Sequence, residues 1–150
     1  MEFTDSVRAI LDEKGANVHC IEPDQTVYEA IERMSRLSVG ALVVLEEDKK
    51  IVGILSERDY ARKIILAGRT SRETLVRAIM TINVITASPS DTVDTCMKIL
   101  NKYQIRHIPI VEEEKLVGII STSDLVRWII SRQNETIEQL EHYITSGYVR

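Results

Sequence analysis

The sequence carries one pattern twice, and this internal repeat limits the fold more than any other feature does. Residues 18–59 match residues 84–124. Pro23 aligns with Pro89, 66 positions further along, and the offset falls to 65 after an acidic turn that is one residue shorter in the second copy. A unit of about 60 residues buries too little apolar surface to be more than marginally stable alone. We therefore expect the two copies to pack together.

Each copy has the same order of secondary structure: strand, helix, strand, strand, helix. Thr26 and Thr92 precede apolar stripes of helical spacing, where a hydroxyl can cap the first turn. Two apolar runs of strand length follow in each copy, split by an acidic turn. A second helix begins after Ser56 and after Ser121. The pattern predicts an α/β (α+β) fold in which two β-α-β-β-α repeats form one pseudo-symmetric module.

The repeat divides the chain into segments. We expect an N-terminal helix and lead-in at 1–17, the first repeat at 18–67, a linker at 68–83, the second repeat at 84–132 and a C-terminal helical tail at 133–150. Thr70 and Glu73 predict a capped helix within the linker, which is expected to cross the surface. The apolar tail stripe of Ile137, Leu140 and Ile144 has helical spacing and packs either on its own chain or on a partner chain.

Composition and motif spacing argue against several classes of function. The net charge of -4 and the aromatic content of 5% offer neither a basic groove nor stacking platforms for nucleic acid. The chain lacks an apolar stretch of about eighteen residues and a signal-peptide pattern, which predicts a cytoplasmic protein with no membrane contact. Cys20 and Cys96 lack CxxC spacing and are expected to be buried free thiols, and no residue spacing predicts a metal site.

One heptad closes each strand pair, GILSERD at 53–59 and GIISTSD at 118–124. A carboxylate in the first turn of a helix can accept hydrogen bonds from both hydroxyls of a ribose, and the preceding Ser adds a polar contact. The alternative is that Ser and Asp only cap the helix. The glycine of each heptad allows close approach of a ligand or of another strand. Because the heptad occurs twice, we favour ligand binding.

These heptads, at equivalent places in a repeat, resemble the CBS-domain family in its tandem form, the Bateman module, over about residues 15–132. The segments ERDYARK, GRTS, IMT, RHIPIV and YITSGY also resemble short two-CBS proteins of bacteria and plant organelles. The resemblance implies a regulatory module that senses an adenine nucleotide in the cleft between the repeats. AMP is the ligand expected first, and ADP, ATP, NAD and S-adenosylmethionine are the alternatives.

The resemblance also implies two clefts. The first joins Ser56 and Asp59 to Thr81, Asn83, Ile85, Ile105, Arg106 and His107. The second joins Ser121 and Asp124 to Gly15, Asn17, His19, Val39, Gly40 and Ala41. We expect the second cleft to be less complete, because Gly15 aligns with Thr81 and the pair Gly40–Ala41 aligns with Arg106–His107. It would then lack a hydroxyl and two groups that could bind phosphate.

Arg106 and His107 favour a phosphorylated ligand, since a guanidinium is permanently charged and an imidazole changes charge near neutral pH. Alternatively, Arg106 pairs with a surface acid and His107 is a strand residue whose hydrogen bonds are satisfied. A nearby basic stretch is expected to be a solvated helix face; it contains Arg58, Arg62, Lys63, Arg69 and Arg72.

The sequence lacks the GxSxG, HExxH, GxGxxG and Walker patterns, so we expect a protein that is not an enzyme. The alternative to a sensor is a ligand-free scaffold that binds and regulates a partner enzyme. The resemblance to plant organellar two-CBS proteins implies an enzyme of the redox system as that partner. The flat dimers common in the family imply a homodimer.

Overall fold

The computed structural model describes residues 3–15 and 17–147, with side chains through residue 142. The lead-in and first repeat comprise α1 (Val7–Lys14), β1 (Cys20–Ile21), α2 (Val27–Leu37), β2 (Ala41–Leu45), β3 (Ile51–Ser56) and α3 (Glu57–Tyr60), which continues as a π-helical segment (Ala61–Ile65). The remaining elements are α4 (Val76–Ile79), α5 (Val93–Tyr103), β4 (His107–Glu112), β5 (Lys115–Ser121) and α6 (Thr122–Gly147).

Each repeat contributes a small sheet. β1 runs parallel to β2, which pairs antiparallel with β3, and β4 pairs antiparallel with β5. The strand predicted at the start of the second repeat is reduced to one parallel bridge between Ala87 and Ile110. The chain turns directly after this bridge, because the Ser88 N–H donates to the Asp91 carboxylate at 2.7 Å.

The first helix of each repeat begins and ends in the same way. The hydroxyls of Thr26 and Thr92 each accept a hydrogen bond from the N–H three residues on, at 3.1 Å, as predicted. The helices end at Ser38 (φ 55°) and Gln104 (φ 51°), both in the left-handed conformation. These turns bring the residues before β2 and β4 to the junction between the repeats.

Each hydrophobic core is completed by a helix from outside its own repeat. α1 precedes the first repeat, yet Val7, Ile10 and Leu11 are buried in the core of the second. α4 precedes the second repeat, yet Val76 and Ile79 are buried in the core of the first. The two repeats therefore share their chain segments, which explains physically why neither repeat of about 60 residues has to form a core alone.

Backbone hydrogen bonds fix the exchanged helices at their first turns. The N–H of Val7 donates to the carbonyl of Asp91 at 2.8 Å, and the N–H of Val93 donates to the carbonyl of Asp5 at 2.9 Å. The same reciprocal exchange joins α2 to α4. The first N–H groups of a helix have no partner within the helix. Here they donate to carbonyl groups just before the start of the neighbouring helix.

The segment between the repeats differs from the predicted surface linker with a capped helix at Thr70. The Thr70 hydroxyl donates to the Glu73 carboxylate at 3.2 Å, and the chain makes turns until the helix begins at Val76. Val76 and Ile79 are 0% and 2% exposed, so this part of the segment belongs to the first core.

α6 extends 26 residues and packs on the second core only through its first turns. Leu125 and Trp128 are buried, whereas Ile137 and Leu140 are 52% and 56% exposed. Ile137 and Leu140 are therefore only partly covered by their own chain, which leaves the alternative of a partner chain open; the side chain of Ile144 lies outside the described residues. Within residues 3–15 and 17–147, no helix combines the length and apolarity needed to cross a membrane.

Candidate functional site

A cleft of about 390 Å³ lies where the end of β3 meets the start of the second repeat. The structure brings together here all eight residues predicted for the first cleft, namely Ser56, Asp59, Thr81, Asn83, Ile85, Ile105, Arg106 and His107. The first repeat supplies the heptad side chains, and the second supplies the opposite wall. A molecule bound here would contact both repeats at once.

Asp59 both caps α3 and faces the cleft, so the two readings of the heptad are compatible. Its Oδ2 accepts hydrogen bonds from the Ser56 N–H at 3.0 Å and the Ser56 hydroxyl at 3.1 Å. Its Oδ1 has only long contacts, at 3.4 Å, with the Thr81 hydroxyl and the Lys63 ammonium. Oδ1 therefore retains acceptor capacity for a ligand hydroxyl, because a carboxylate oxygen offers two lone pairs.

Arg106 lies in the wall that the two clefts share. Its guanidinium is exposed and makes no hydrogen bond or ion pair with the residues that the structure describes, which argues against the alternative that it pairs with a surface acid. A free guanidinium beside a cleft suits a phosphate, which it can bind through two parallel hydrogen bonds.

His107 lies beside Arg106 in the same wall, with its imidazole against Gly40. Burial lowers the pKa of His107, and Lys14 and Arg106 lower it further, while Asp124 opposes them. The imidazole is therefore neutral at pH 7 in the absence of ligand. It can act as a hydrogen-bond donor or acceptor, but it adds no positive charge there until an anion binds.

The first cleft contains residues that sequence reasoning did not assign to it. Arg58 and Arg62, expected on a solvated face, line it together with Tyr103 and Gln104. Arg58 spans the cleft and donates to the carbonyl of Gln104 at 2.8 Å, whereas Arg62 has no ion-pair partner among the described residues. The helical spacing of Arg62 from Asp59 could have revealed it, since residues three apart share a helix face.

A second cleft of about 600 Å³ lies at the end of β5. It is lined by all the residues predicted for it: Gly15, Asn17, His19, Val39, Gly40, Ala41, Ser121 and Asp124. The expectation that it lacks phosphate-binding groups is wrong, because Arg106 and His107 face both clefts and Lys14 and Arg127 add two cations. Residues at a pseudo-twofold junction are shared, which a residue-by-residue alignment of the repeats does not show.

Asp124 differs from Asp59 in having both oxygens engaged by cations. Oδ2 accepts from the Lys14 ammonium at 2.7 Å and from the Ser121 N–H at 2.8 Å, and Oδ1 accepts from the Arg127 guanidinium at 2.7 Å. Burial would raise the pKa of this carboxyl, but the hydrogen bonds from Lys14 and Ser121 outweigh burial, and the pKa lies below its usual value.

The heptad glycines face other parts of this chain: the segment at Met80 and Thr81 in the first repeat, and the side chain of Leu11 on α1 in the second. A Cβ at Gly53 would lie 2.6 Å from Met80 Sδ and 3.0 Å from the Thr81 carbonyl oxygen. A Cβ at Gly118 would lie 2.6 Å from Leu11 Cδ2. Both glycines therefore allow the exchanged segments to cross the sheets closely.

The two cysteines do not line either cleft. Cys96 is buried and Cys20 half-buried, both as free thiols. Burial raises the pKa of Cys96 to about 11, so its reactive thiolate is scarce at neutral pH. Within the described parts of the chain, no group of three or more His, Cys, Asp or Glu side chains could hold a metal ion.

Comparison with known proteins agrees with this architecture. The family model described as "CBS domain" matches residues 7–66 and 76–131. The mitochondrial CBS domain-containing protein CBSX3 of Arabidopsis thaliana is 40% identical over 129 residues, which cover 83% of this chain and 63% of that protein. The chain thus spans somewhat less than two thirds of the length of this relative.

Two solved structures extend the comparison. The CBS domain NE2398 shares 37% identity with a TM-score of 0.81, over 84% of this chain and 98% of that one. The CBS domain pair of protein MJ0100, solved in complex with 5′-methylthioadenosine and S-adenosyl-L-methionine, shares 26% identity with a TM-score of 0.72, over 86% of this chain and 98% of that one. These neighbours confirm the predicted α/β fold of two packed repeats. Because the family model matches two segments of the chain, and because relatives that are 37% and 40% identical carry CBS domains, the chain belongs to the CBS-domain family as a tandem pair.

Proposed function

We propose that this CBS pair is a regulatory module that binds an adenosyl ligand in the first cleft. The observation that carries the proposal is that one cleft combines an available carboxylate oxygen on Asp59 with the guanidinium groups of Arg62 and Arg106, which have no ion-pair partner among the described residues. A nucleotide offers ribose hydroxyls to the first group and phosphate to the others. A volume of about 390 Å³ is within the range of small-molecule sites.

In this arrangement the ribose binds at Asp59 and Thr81, and the base lies against Ile85 and the backbone near Ile105. AMP is the ligand we propose first, with ADP, ATP, NAD and S-adenosylmethionine to be compared with it. The complex of the MJ0100 CBS pair with two adenosyl compounds supports this class of ligand.

Regulation follows from the position of the cleft between two repeats. A ligand that contacts both walls favours whichever arrangement of the repeats fits it better, and it shifts the equilibrium only by its difference in affinity. We propose this regulatory role instead of catalysis. A cytoplasmic location stays a prediction.

Calorimetric titration of the full chain with AMP tests the proposal, followed by the same titration with the alternative ligands. We expect saturable binding that Asp59→Asn weakens at least about tenfold, because the amide replaces an ionised acceptor of ribose hydroxyls. Asp124→Asn, at the equivalent position of the other repeat, is the matched control and should retain most of the binding. Thermal unfolding verifies that each variant is folded.

Arg106→Gln separates the phosphate contact from the ribose contact. It should weaken AMP binding while leaving adenosine binding nearly unchanged. If none of the compounds binds to the wild-type chain, the scaffold alternative is favoured, and a partner such as a redox-system enzyme would then be sought directly.

We further propose that the chain forms a homodimer through α6. Val126, Ile130, Ile137 and Leu140 are all exposed and recur at positions a and d of a heptad. Apolar residues at positions a and d form the seam along which two helices pack in a coiled coil. Gln133 occupies the remaining d position between them.

Charge indicates the orientation of this pair. Arg127 and Glu141 both occupy position e of the heptad, and Arg127 is 71% exposed. An antiparallel pair places e positions opposite one another, so that Arg127 would face Glu141 of the partner subunit. A parallel pair offers no such complementary contact.

A further inference from the structure

The ammonium group of Lys14 occupies the place in the second cleft where a ligand would meet Asp124. Its Nζ lies 2.7 Å from Asp124 Oδ2 and 2.8 Å from the carbonyl oxygen of Ile119. The Asp124 side chain is only 8% exposed, and its other oxygen is held by Arg127. A ribose would therefore have to compete with two charged donors at a carboxylate that is almost fully buried.

The first cleft shows what Lys14 replaces. There Ile54, the equivalent of Ile119, exchanges two backbone hydrogen bonds with Thr81, at 2.9 and 3.0 Å. This bridge also brings the Thr81 hydroxyl to Asp59. The residue aligned with Thr81 is Gly15, which has a φ of 90° and forms no bridge to Ile119 within the described residues. The Lys14 side chain takes over the Ile119 carbonyl instead.

The two heptad aspartates consequently differ in availability. Lys63 is the nearest cation to Asp59, but it lies 3.4 Å away and donates to the Ile79 carbonyl at 2.8 Å. Lys14 makes its closest contact with Asp124 itself. Charge-assisted hydrogen bonds at 2.7 Å are among the stronger ones, so a neutral ribose hydroxyl competes poorly against them.

We propose that Lys14 is an internal occupant of the second cleft, which prevents this cleft from binding an adenosyl ligand and restricts the chain to one bound nucleotide. The inference rests on the proposed function of the first cleft. In this proposal α1, which ends at Lys14, controls whether the second cleft can bind a ligand. Any change that withdraws this ammonium group opens a second binding site of the same ligand class.

Lys14→Met tests this role, because methionine is the residue at the aligned position 80 of the other repeat. AMP is titrated into the full chain by calorimetry. The wild type should bind one AMP per chain, and Lys14→Met should bind two, with the affinity of the second cleft raised at least about tenfold. Lys14→Arg, which keeps a cation at this place, is the matched control and should bind one. Thermal unfolding confirms that the variants are folded.

The Asp59→Asn background separates this inference from the proposed function. Asp59→Asn alone should bind no AMP at the same concentrations, whereas Asp59→Asn with Lys14→Met should bind one in the second cleft. Two sites in the wild type, or one site in both the wild type and Lys14→Met, would overturn the role of Lys14. Binding by Lys14→Met but not by the wild type would support it and contradict the first cleft. Absence of binding throughout would overturn both.

Discussion

His107 lies between the two clefts, within reach of charges from several elements. Lys14 and Asp124 act on it from the second cleft, and Arg106 adjoins it in the chain. Glu57 approaches the same site beside Gly40. Because burial holds the pKa of His107 below its usual value, the free protein carries a neutral imidazole at pH 7. A bound phosphate would favour the protonated form.

We predict that AMP binding takes up protons in the window between the pKa of His107 in the free protein, which is lowered from its ordinary value of about 6.5, and its higher pKa in the complex. A phosphate beside His107 raises the pKa of the imidazole in the complex above that of the free protein, so affinity increases as pH falls through this window. Calorimetry in two buffers of different ionisation enthalpy measures the uptake. His107→Gln should abolish it, and adenosine should show none. Equal uptake by His107→Gln would contradict the assignment.

Gly53 leaves room for Met80 and the Thr81 carbonyl group, which cross the sheet at this residue. We predict that Gly53→Ala lowers the free energy of unfolding by about 1–3 kcal/mol, because the added methyl group overlaps Met80 and the Thr81 carbonyl. Chemical denaturation measures the loss.

Gly118→Ala is the matched control for Gly53→Ala. It should cost less, since the nearest atoms to its methyl group belong to the side chain of Leu11, whereas at Gly53 a backbone carbonyl oxygen lies 3.0 Å away. A larger loss for Gly118→Ala than for Gly53→Ala would show that the backbone contact at Thr81 is unimportant.

At the level of secondary-structure elements, the exchange of α1 and α4 between cores holds the module together. Each of these helices is short and would be unstable alone, since isolated helices below about 12–15 residues are marginal in water. Their stability comes from apolar burial against the other repeat. The same exchange carries Lys14 to the second cleft and Thr81 to the first.

Ile79 and Ile82 test this exchange, because they lie three residues apart and differ in burial, at 2% and 70% exposed. Ile79→Ala should lower the free energy of unfolding by about 2–5 kcal/mol through loss of buried methyl groups and the cavity left behind. Ile82→Ala should change it by less than about 0.5 kcal/mol. Urea denaturation distinguishes them. Similar values would mean that α4 does not belong to the first core.

For the whole molecule, the exposed stripe on α6 is the feature that a single chain does not explain. Neither Ile137 nor Leu140 is covered by the described residues, and the helix continues well past the second core. Coiled-coil spacing and the complementary charges at position e favour a second copy as the partner.

We predict that the wild-type chain of 17.1 kDa sediments as a dimer and that Leu140→Lys shifts it towards the monomer. A charge at position d of the seam is buried in the dimer without a partner, which is costly. Analytical ultracentrifugation measures the mass. Gln139→Lys adds the same charge at the adjacent, exposed position and should stay dimeric. A dimer that survives Leu140→Lys would place the interface elsewhere.

The amino-acid sequence alone was enough to predict the repeat and the order of elements, whereas the residues expected in each cleft came from the family resemblance. The order of elements follows from local rules: Thr26 and Thr92 cap helices, apolar runs form strands, and the heptads end strand pairs at equivalent places. Sequence could also narrow the ligand class through the resemblance that the heptads carry. The spacing of Arg62 from Asp59 places them on one helix face, but no apolar pattern shows that this face borders the first cleft, because both residues are polar.

The core that each helix joins, and the aspartate that is available to a ligand, became clear from the folded chain alone. Val76 and Ile79 are apolar in a polar segment, and their burial depends on a distant surface, not on their neighbours in the chain. Lys14 and Asp124 are 110 positions apart, so their contact exists only after α1 has crossed to the second repeat. The two heptads share Gly, Ile, Ser and Asp at equivalent places, but their carboxylates differ because each is completed by a different segment from elsewhere in the chain.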